Sequence, residues 1–196
     1  MDMVRAFVAI ELPEQILARL GDLLARIRED VPGGMVRWVR PAGIHLTLKF
    51  LGEVPASQIA AIAEAMRSAC APHPPFSFAI GGLGCFPDAR RPRVVWVGLD
   101  EPGGILAHLQ RDIERAMQPL GFRPEGRGFQ PHLTLGRVKG GRPEELQALG
   151  AYVSRARAQV GQVQAASVSL IRSDLRPDGA VYTGLAVAPL QGKARA

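Results

Sequence analysis

A short motif that occurs twice constrains the fold of this 196-residue chain more than any other feature. The tetrapeptide His-Leu-Thr-Leu lies at 45–48 and again at 132–135. The chain has three threonines, and two of them follow a histidine by two positions, which composition alone would rarely produce. The repeat therefore predicts two halves that are built alike, each with its own motif strand.

The spacing of apolar residues predicts the same order of elements, β-α-β-α-β, in both halves. In the first half, strands are expected at 4–10, 44–51 and 76–80, with helices from Pro13 to Gly33 and over 55–70. In the second half, strands at 94–99, 132–138 and 163–171 alternate with helices at 105–117 and 144–157. A last strand at about 180–187 follows the turn signal at 176–179, so a terminal hairpin is expected.

This pattern predicts an α+β protein with two pseudo-symmetric lobes. Each lobe is expected to have an antiparallel-rich sheet with helices on its outer face, and the groove between the lobes is the expected ligand site. We assign residues 1–190 to a single catalytic domain of two intertwined lobes and residues 191–196 to a disordered tail.

Composition narrows the environment and the partners. No apolar run approaches the roughly 20 residues that span a bilayer, and Cys70 and Cys85 are too few for a disulfide framework. We therefore expect a soluble, cytoplasmic monomer with both cysteines reduced and buried. The net charge of +6 and the pI of about 10.1 favour polyanionic partners such as RNA or DNA.

The motif residues have the chemistry to cleave a phosphodiester. Side chains alternate along a strand, so His45 and Thr47 share one face, as His132 and Thr134 do. Two-fold related strands would place both pairs across one groove, where one imidazole takes a proton and the other gives one. The threonine hydroxyls can donate hydrogen bonds to the phosphoryl oxygens. No metal is then needed, and strained cyclic phosphates become the favoured substrates.

Strand alternation also predicts the positions of residues near the motifs. Lys49 is expected on the catalytic face or at the groove rim, and Phe50 on the packed face. Arg137 is expected on the face of Leu135, unless Gly136 bends the strand. Phe129, close to His132, is the better candidate for stacking on a base. Two histidines could instead bind a metal ion, but the sequence offers no acidic cluster as a source of further ligands.

The paired motifs resemble the two-histidine phosphoesterase superfamily, and more closely its bacterial and archaeal RNA 2′,3′-cyclic phosphodiesterases, once called 2′-5′ RNA ligases. The likeness runs from end to end of the chain. The segments that carry it are the opening strand at 5–13, the first motif block at 38–54, the middle at 84–87 and 92–98, the second motif block at 131–137, and the closing hairpin at 173–182.

The resemblance implies a bilobal fold, hydrolysis of RNA 2′,3′-cyclic phosphate ends to 2′-phosphates, and no cofactor. By the same resemblance His45 is the proton donor, and His132 is the proton acceptor that activates water. Thr47 and Thr134 would hold the phosphate, and Arg137 stands where the family often has a basic residue that could contact it. The residues alone cannot order the two histidines, because the repeats are equivalent.

Three alternatives stay open at this level. A related two-histidine enzyme could act on another cyclic phosphate, such as an ADP-ribose derivative, or could ligate 2′-5′ RNA ends in the reverse reaction. A different class is an RNA-binding module without turnover, which the basic pI alone would support.

Overall fold

The protein is described here from a computed structural model, which covers residues 2–31, 34–126, 128–177 and 179–193. Its first half contains β1 (Met3–Ile10), α1 (Glu14–Asp30), β2 (Val36–Trp38), β3 (Leu46–Pro55), α2 (Ile59–Cys70) and β4 (Phe76–Phe86). Its second half contains β5 (Val94–Asp100), α3 (Ile105–Met117), β6 (His132–Val138), α4 (Pro143–Arg155), β7 (Gln159–Ala165), β8 (Ser167–Arg176) and β9 (Gly179–Pro189).

The strands form two antiparallel sheets. Sheet A has the order β3-β1-β8-β9, and sheet B has the order β2-β6-β5-β4-β7. Each sheet takes strands from both halves of the chain, because β4 pairs with β5 while β8 pairs with β1. The predicted α+β fold with two lobes is therefore confirmed, and so is the terminal hairpin of β8 and β9.

The helices cover the two sheets in pairs. α2 contacts β8 and β9, and α3 contacts β3, so both lie on sheet A and pack against each other. α1 contacts β7 and α4 contacts β4, so these two helices lie on sheet B. Leu20, Leu24 and Ile27 show why α1 forms: they recur at helical spacing and are all buried.

The structure departs from the predicted elements where the chain changes sheets. The strand predicted at 163–171 is two strands, β7 in sheet B and β8 in sheet A, separated at Ala166. The carbonyl of Ala166 instead accepts a hydrogen bond from the Leu190 amide at 2.9 Å. β2 was not predicted, because three residues are too few to show a period.

Smaller differences concern the cysteines and the chain end. Both cysteines are free, but Cys85 is half-buried whereas Cys70 is buried, as predicted. The predicted disordered tail begins at residue 191, yet the Gly192 amide donates to the His73 carbonyl at 2.9 Å. Residues 194–196 of that tail lie outside the described residues. No helix in the described part of the chain is long and apolar enough to cross a membrane.

Candidate active site

The two motifs lie on strands that approach each other between the sheets. His45 immediately precedes β3, the edge strand of sheet A, and His132 is the first residue of β6 in sheet B. Cα atoms of β3 and β6 come within 8 Å of each other. The segment that leads from β2 to His45 connects the two sheets. β2 pairs with β6, and the Val39 amide donates a hydrogen bond to the Leu135 carbonyl at 2.8 Å.

Each imidazole is oriented by a backbone group two residues before it. His132 Nδ1 lies 2.7 Å from the Gln130 carbonyl oxygen, and His45 is hydrogen-bonded to the backbone of Gly43. When Nδ1 of His132 donates to that carbonyl, Nε2 is the nitrogen left for proton transfer. The duplication therefore extends beyond the tetrapeptide to the group that fixes the ring.

His45 contacts two aromatic rings, which also contact each other at a centroid distance of 5.4 Å. Phe7 stacks on it with ring centroids 4.5 Å apart, and the edge of Tyr182 approaches at 5.1 Å. Burial lowers the pKa of His45 from 6.5 to about 4, although the hydrogen bond to Gly43 and the negative charge of Glu11 act in the opposite direction. In the protein without substrate, His45 is therefore neutral near pH 7.

His132 lies beside a different aromatic group. The Phe86 ring meets it edge-on at a centroid distance of 4.8 Å, and Trp96 lies 6.4 Å away. These three residues and Phe129 line a cavity of about 300 Å³. Phe129, the residue singled out for stacking, therefore lies in the wall of the same cavity as His132.

A β-bulge follows the threonine in both motif strands. In sheet A, Ala9 is opposite Thr47 and Val8 is opposite Lys49, so Leu48 has no partner on β1. In sheet B, Trp96 is opposite Thr134 and Val95 is opposite Gly136, so the unpaired residue is Leu135. An extra residue in one strand reverses the alternation of faces beyond it. Predictions based on strict alternation therefore fail after each threonine.

The predicted position of Lys49 is wrong for this reason. Its side chain is only 2% exposed and points into the core, where Nζ lies 2.7 Å from a carboxylate oxygen of Glu114 on α3. Nζ also donates to the Arg123 carbonyl at 3.1 Å. Gln110, one turn before Glu114, donates to the carbonyl of Leu48 at 3.4 Å, so α3 holds the bulge from behind.

The same bulge turns Phe50 outward. Sequence alternation predicted a packed side chain, but Phe50 is 57% exposed. Its ring centroid lies 6.2 Å from that of Phe7, the residue that stacks on His45. Phe50 is therefore on the face of sheet A that carries Thr47, and its predicted core position is wrong.

The position of Arg137 changes in the same way. The bulge at Leu135 places Arg137 on the face of Thr134, and its side chain is exposed. Burial raises the pKa of Tyr182, and the positive charges of Arg137 and Arg5 oppose that rise. The charge of Arg137, from sheet B, therefore acts on Tyr182, the ring that contacts His45 from sheet A.

Sequence reasoning did not identify the surroundings of His45. The contacts of Phe7 and Tyr182 with His45, and the charge of Glu11 that acts on it, were not among the predictions. The position of Phe7 follows from register, because Phe7 and Ala9 alternate onto the face where Ala9 meets Thr47. Among the described residues, no group of three or more histidine, cysteine, aspartate or glutamate side chains could hold a metal ion.

Comparison with known proteins is consistent with this arrangement. The family described as LigT like Phosphoesterase matches residues 10–96 and again residues 97–182. A Methanothermobacter thermautotrophicus protein named RNA 2′,3′-cyclic phosphodiesterase is 37% identical over 187 residues, which cover 94% of this chain and 97% of that protein. An Aeropyrum pernix protein of the same name is 38% identical over 83% of this chain and 92% of its own length.

Solved structures are similar over nearly the whole chain. A Thermus thermophilus protein superposes with a TM-score of 0.80 at 29% identity, covering 97% of this chain and all of its own. Escherichia coli LigT complexed with 3′-AMP gives a TM-score of 0.78 at 25% identity, covering 96% of this chain and 99% of that one. Because the family match spans both repeats and close to nine-tenths of the sequence, the chain belongs to the LigT-like phosphoesterase family.

Proposed function

We propose that this protein hydrolyses RNA 2′,3′-cyclic phosphate ends to 2′-phosphomonoesters, with His45 and His132 as the acid–base pair. One observation carries the proposal: two imidazoles, each fixed by a backbone group two residues upstream, lie at the starts of two strands, one in each sheet, that approach each other. The name RNA 2′,3′-cyclic phosphodiesterase, given to relatives that match over most of their length, supports the choice of substrate.

In this reaction His132 takes a proton from water, and the resulting hydroxide attacks phosphorus. The bond from phosphorus to the 3′ oxygen breaks, and His45 gives its proton to that oxygen. The products are a 2′-phosphate and a free 3′ hydroxyl. In each turnover His45 loses one proton and His132 gains one. In-line attack requires the two groups on opposite sides of the phosphorus, as two facing motif strands would supply.

The non-bridging phosphoryl oxygens need donors, because their charge redistributes in the transition state. Thr47 and Thr134 supply hydroxyl groups from the same strand faces as the two histidines. Arg137 supplies a guanidinium, which can donate two hydrogen bonds to a phosphate at once. These donors and two imidazoles account for the chemistry with no metal ion, and we propose that none takes part.

The proposed partner is RNA that ends in a 2′,3′-cyclic phosphate. We further propose that the protein acts on it as a monomer in the cytoplasm, without a membrane attachment. The net charge of +6 would speed its encounter with RNA at low salt.

The direct test is to incubate purified protein with cyclic-phosphate-ended RNA in EDTA and to identify which oxygen of the product carries the phosphate. A 2′-phosphate is expected, with its formation abolished by His45→Ala and by His132→Ala while RNA affinity is largely kept. Chelator inhibition that a divalent cation reverses would overturn the metal-free mechanism. Faster turnover of an ADP-ribose cyclic phosphate than of RNA would replace the substrate.

A further inference from the structure

Two arginines lie directly opposite each other where β2 pairs with β6. The register of the two strands places Arg37 opposite Arg137, and both side chains are exposed. Like charges at directly opposite positions of antiparallel strands destabilise a sheet, because their Cβ atoms are only about 4.5–5.5 Å apart. The pairing of β2 with β6 is therefore disfavoured by this pair of charges, and an anion bound beside the two guanidinium groups would relieve their repulsion.

The packing beneath β2 fixes the direction in which the two arginines point. Val36 is buried, and a Cβ atom on Gly136 would lie 2.6 Å from a Val36 methyl carbon and 2.7 Å from a ring carbon of Trp38. These three residues therefore share the core side of sheet B, and alternation turns the two arginines to the opposite side. Because of the bulge in β6, that side is the face of sheet B that carries Thr134.

Among the described residues, the two guanidinium groups have no acidic partner. In that part of the chain, Arg37 and Arg137 form no ion pair and no side-chain hydrogen bond. By contrast, Arg172 on β8 forms an ion pair with Asp174 at 2.8 Å. A guanidinium offers five N–H donors in a planar fork that matches the oxygens of a phosphate. Two such groups side by side on this face favour the binding of phosphate.

The chemistry of the substrate indicates which phosphate Arg37 can bind. The cyclic phosphate is the 3′ end of the RNA, so every other phosphate of the substrate lies on its 5′ side. The proposed function already gives Arg137, on the motif strand, to the reacting phosphate. Arg37 lies on β2, the edge strand of sheet B, and neighbouring strands are about 4.8 Å apart. Arg37 is therefore the guanidinium that remains for the next phosphate along the chain.

We propose that Arg37 binds the phosphate that joins the terminal nucleotide of the RNA to the nucleotide before it. The inference rests on the proposed function and adds a preference to it. A terminal nucleotide that carries a 5′-phosphate should be a better substrate than one that ends in a 5′ hydroxyl. Because the subsite needs a phosphate and no second base, a 5′-phosphorylated cyclic mononucleotide should show the whole effect.

The test compares kcat/KM for 2′,3′-cyclic AMP with that for the same nucleotide carrying a 5′-phosphate. The wild type should favour the 5′-phosphorylated substrate about 10-fold, the size expected of one charge-assisted hydrogen bond, and Arg37→Gln should remove that preference. Arg37→Lys should keep part of it, because an ammonium group retains the charge but not the planar fork. Arg137→Gln should lower kcat/KM for both substrates. Arg111→Gln, at an exposed site on α3, is the matched control and should leave the preference unchanged.

Affinity provides a readout that does not need turnover. The wild type and variants are titrated calorimetrically with adenosine 2′-phosphate and adenosine 2′,5′-bisphosphate, the products of the two substrates. Arg37→Gln should abolish the tighter binding of the bisphosphate and make its affinity less dependent on salt. The Tm of this variant should be unchanged or higher, because the like-charge pair is removed.

Two results would overturn the phosphate subsite: equal binding of the two products by the wild type, or a preference for the bisphosphate that persists in Arg37→Gln. Failure of the wild type to hydrolyse either substrate would instead refute the proposed function, and the calorimetric comparison would still decide the subsite.

Discussion

Binding of a phosphate should raise the pKa of His45 by about three units. The free protein holds that pKa at about 4, so a proton donor at neutral pH must acquire its proton when substrate binds. Raising the pKa from about 4 to about 7 requires roughly 4 kcal/mol. A monoanionic phosphate about 4 Å from the imidazole, at an effective dielectric constant near 20, supplies about 4 kcal/mol. The substrate's own charge would therefore be sufficient to protonate His45, the proposed proton donor.

NMR titration of the imidazole resonances tests this directly. Spectra of the free protein and of its complex with a 2′-nucleotide product are recorded from pH 3.5 to 8.5, with His45→Gln used to assign the resonance. We expect an apparent pKa near 4 in the free protein and near 7 or above in the complex. Kinetics should report the same difference, because kcat/KM follows groups of the free enzyme and kcat follows those of the complex.

Two results would refute the reasoning. If the His45 resonance titrates near 4 in the complex as well, the ring is neutral during turnover and cannot be the acid. If it already titrates near 6.5 in the free protein, then packing against Phe7 and Tyr182 does not desolvate it as the geometry implies.

Three further predictions concern the acid role and the scaffold. In the unfolded chain His45 binds a proton below about pH 6.5, whereas in the folded protein it does so only below about pH 4. The free energy of unfolding, measured by denaturant titration, should therefore fall by up to about 3 kcal/mol as the pH is lowered through that interval, and by less in His45→Gln. A substrate with sulfur as its 3′ bridging atom needs no acid, so it should restore turnover to His45→Ala but not to His132→Ala; restoration of both or neither would contradict the assignment. Lys49→Met leaves the buried Glu114 carboxylate without its cationic partner, with the Gln110 amide still donating to it, and should lower the free energy of unfolding by about 3–5 kcal/mol in thermal unfolding, most of which is recovered when Glu114→Met is added.

The element order could be read from the sequence because apolar spacing and the repeated motif act locally. The helix at Ile105–Met117 and the strand at His132–Val138 have the boundaries that were predicted. The distribution of strands between sheets could not be read, because it depends on pairing between distant segments. Nothing in the sequence of the segment at 163–171 indicates that its two ends belong to different sheets.

Side-chain positions near the site were predictable as far as the threonines and not beyond. The alternation that places His45 with Thr47 holds up to the bulge and then reverses, so Lys49 and Phe50 exchange the faces expected of them. A bulge leaves no signature in the alternating pattern, since Leu48 is apolar like any core residue. Lys49 fits the alternation as a polar residue, and its buried partner Glu114 lies 65 residues away in the chain.

Because both motif strands contain the same bulge, the residues after it occupy equivalent positions, and their differences separate the roles of the two repeats. At the first position after the bulge, the first repeat has Lys49, which forms an ion pair with Glu114 of α3. The second repeat has Gly136 there, and a Cβ atom at that position would lie only 2.6 Å from a Val36 methyl carbon. At the second, the same outward turn presents Phe50 in one repeat and Arg137 in the other. One aromatic and one cation at matching sites suit one substrate with two kinds of group, a base and a phosphate. In the proposed mechanism, the duplication supplies a symmetric acid–base pair, and the difference between the residues after the bulge gives the bound RNA a direction.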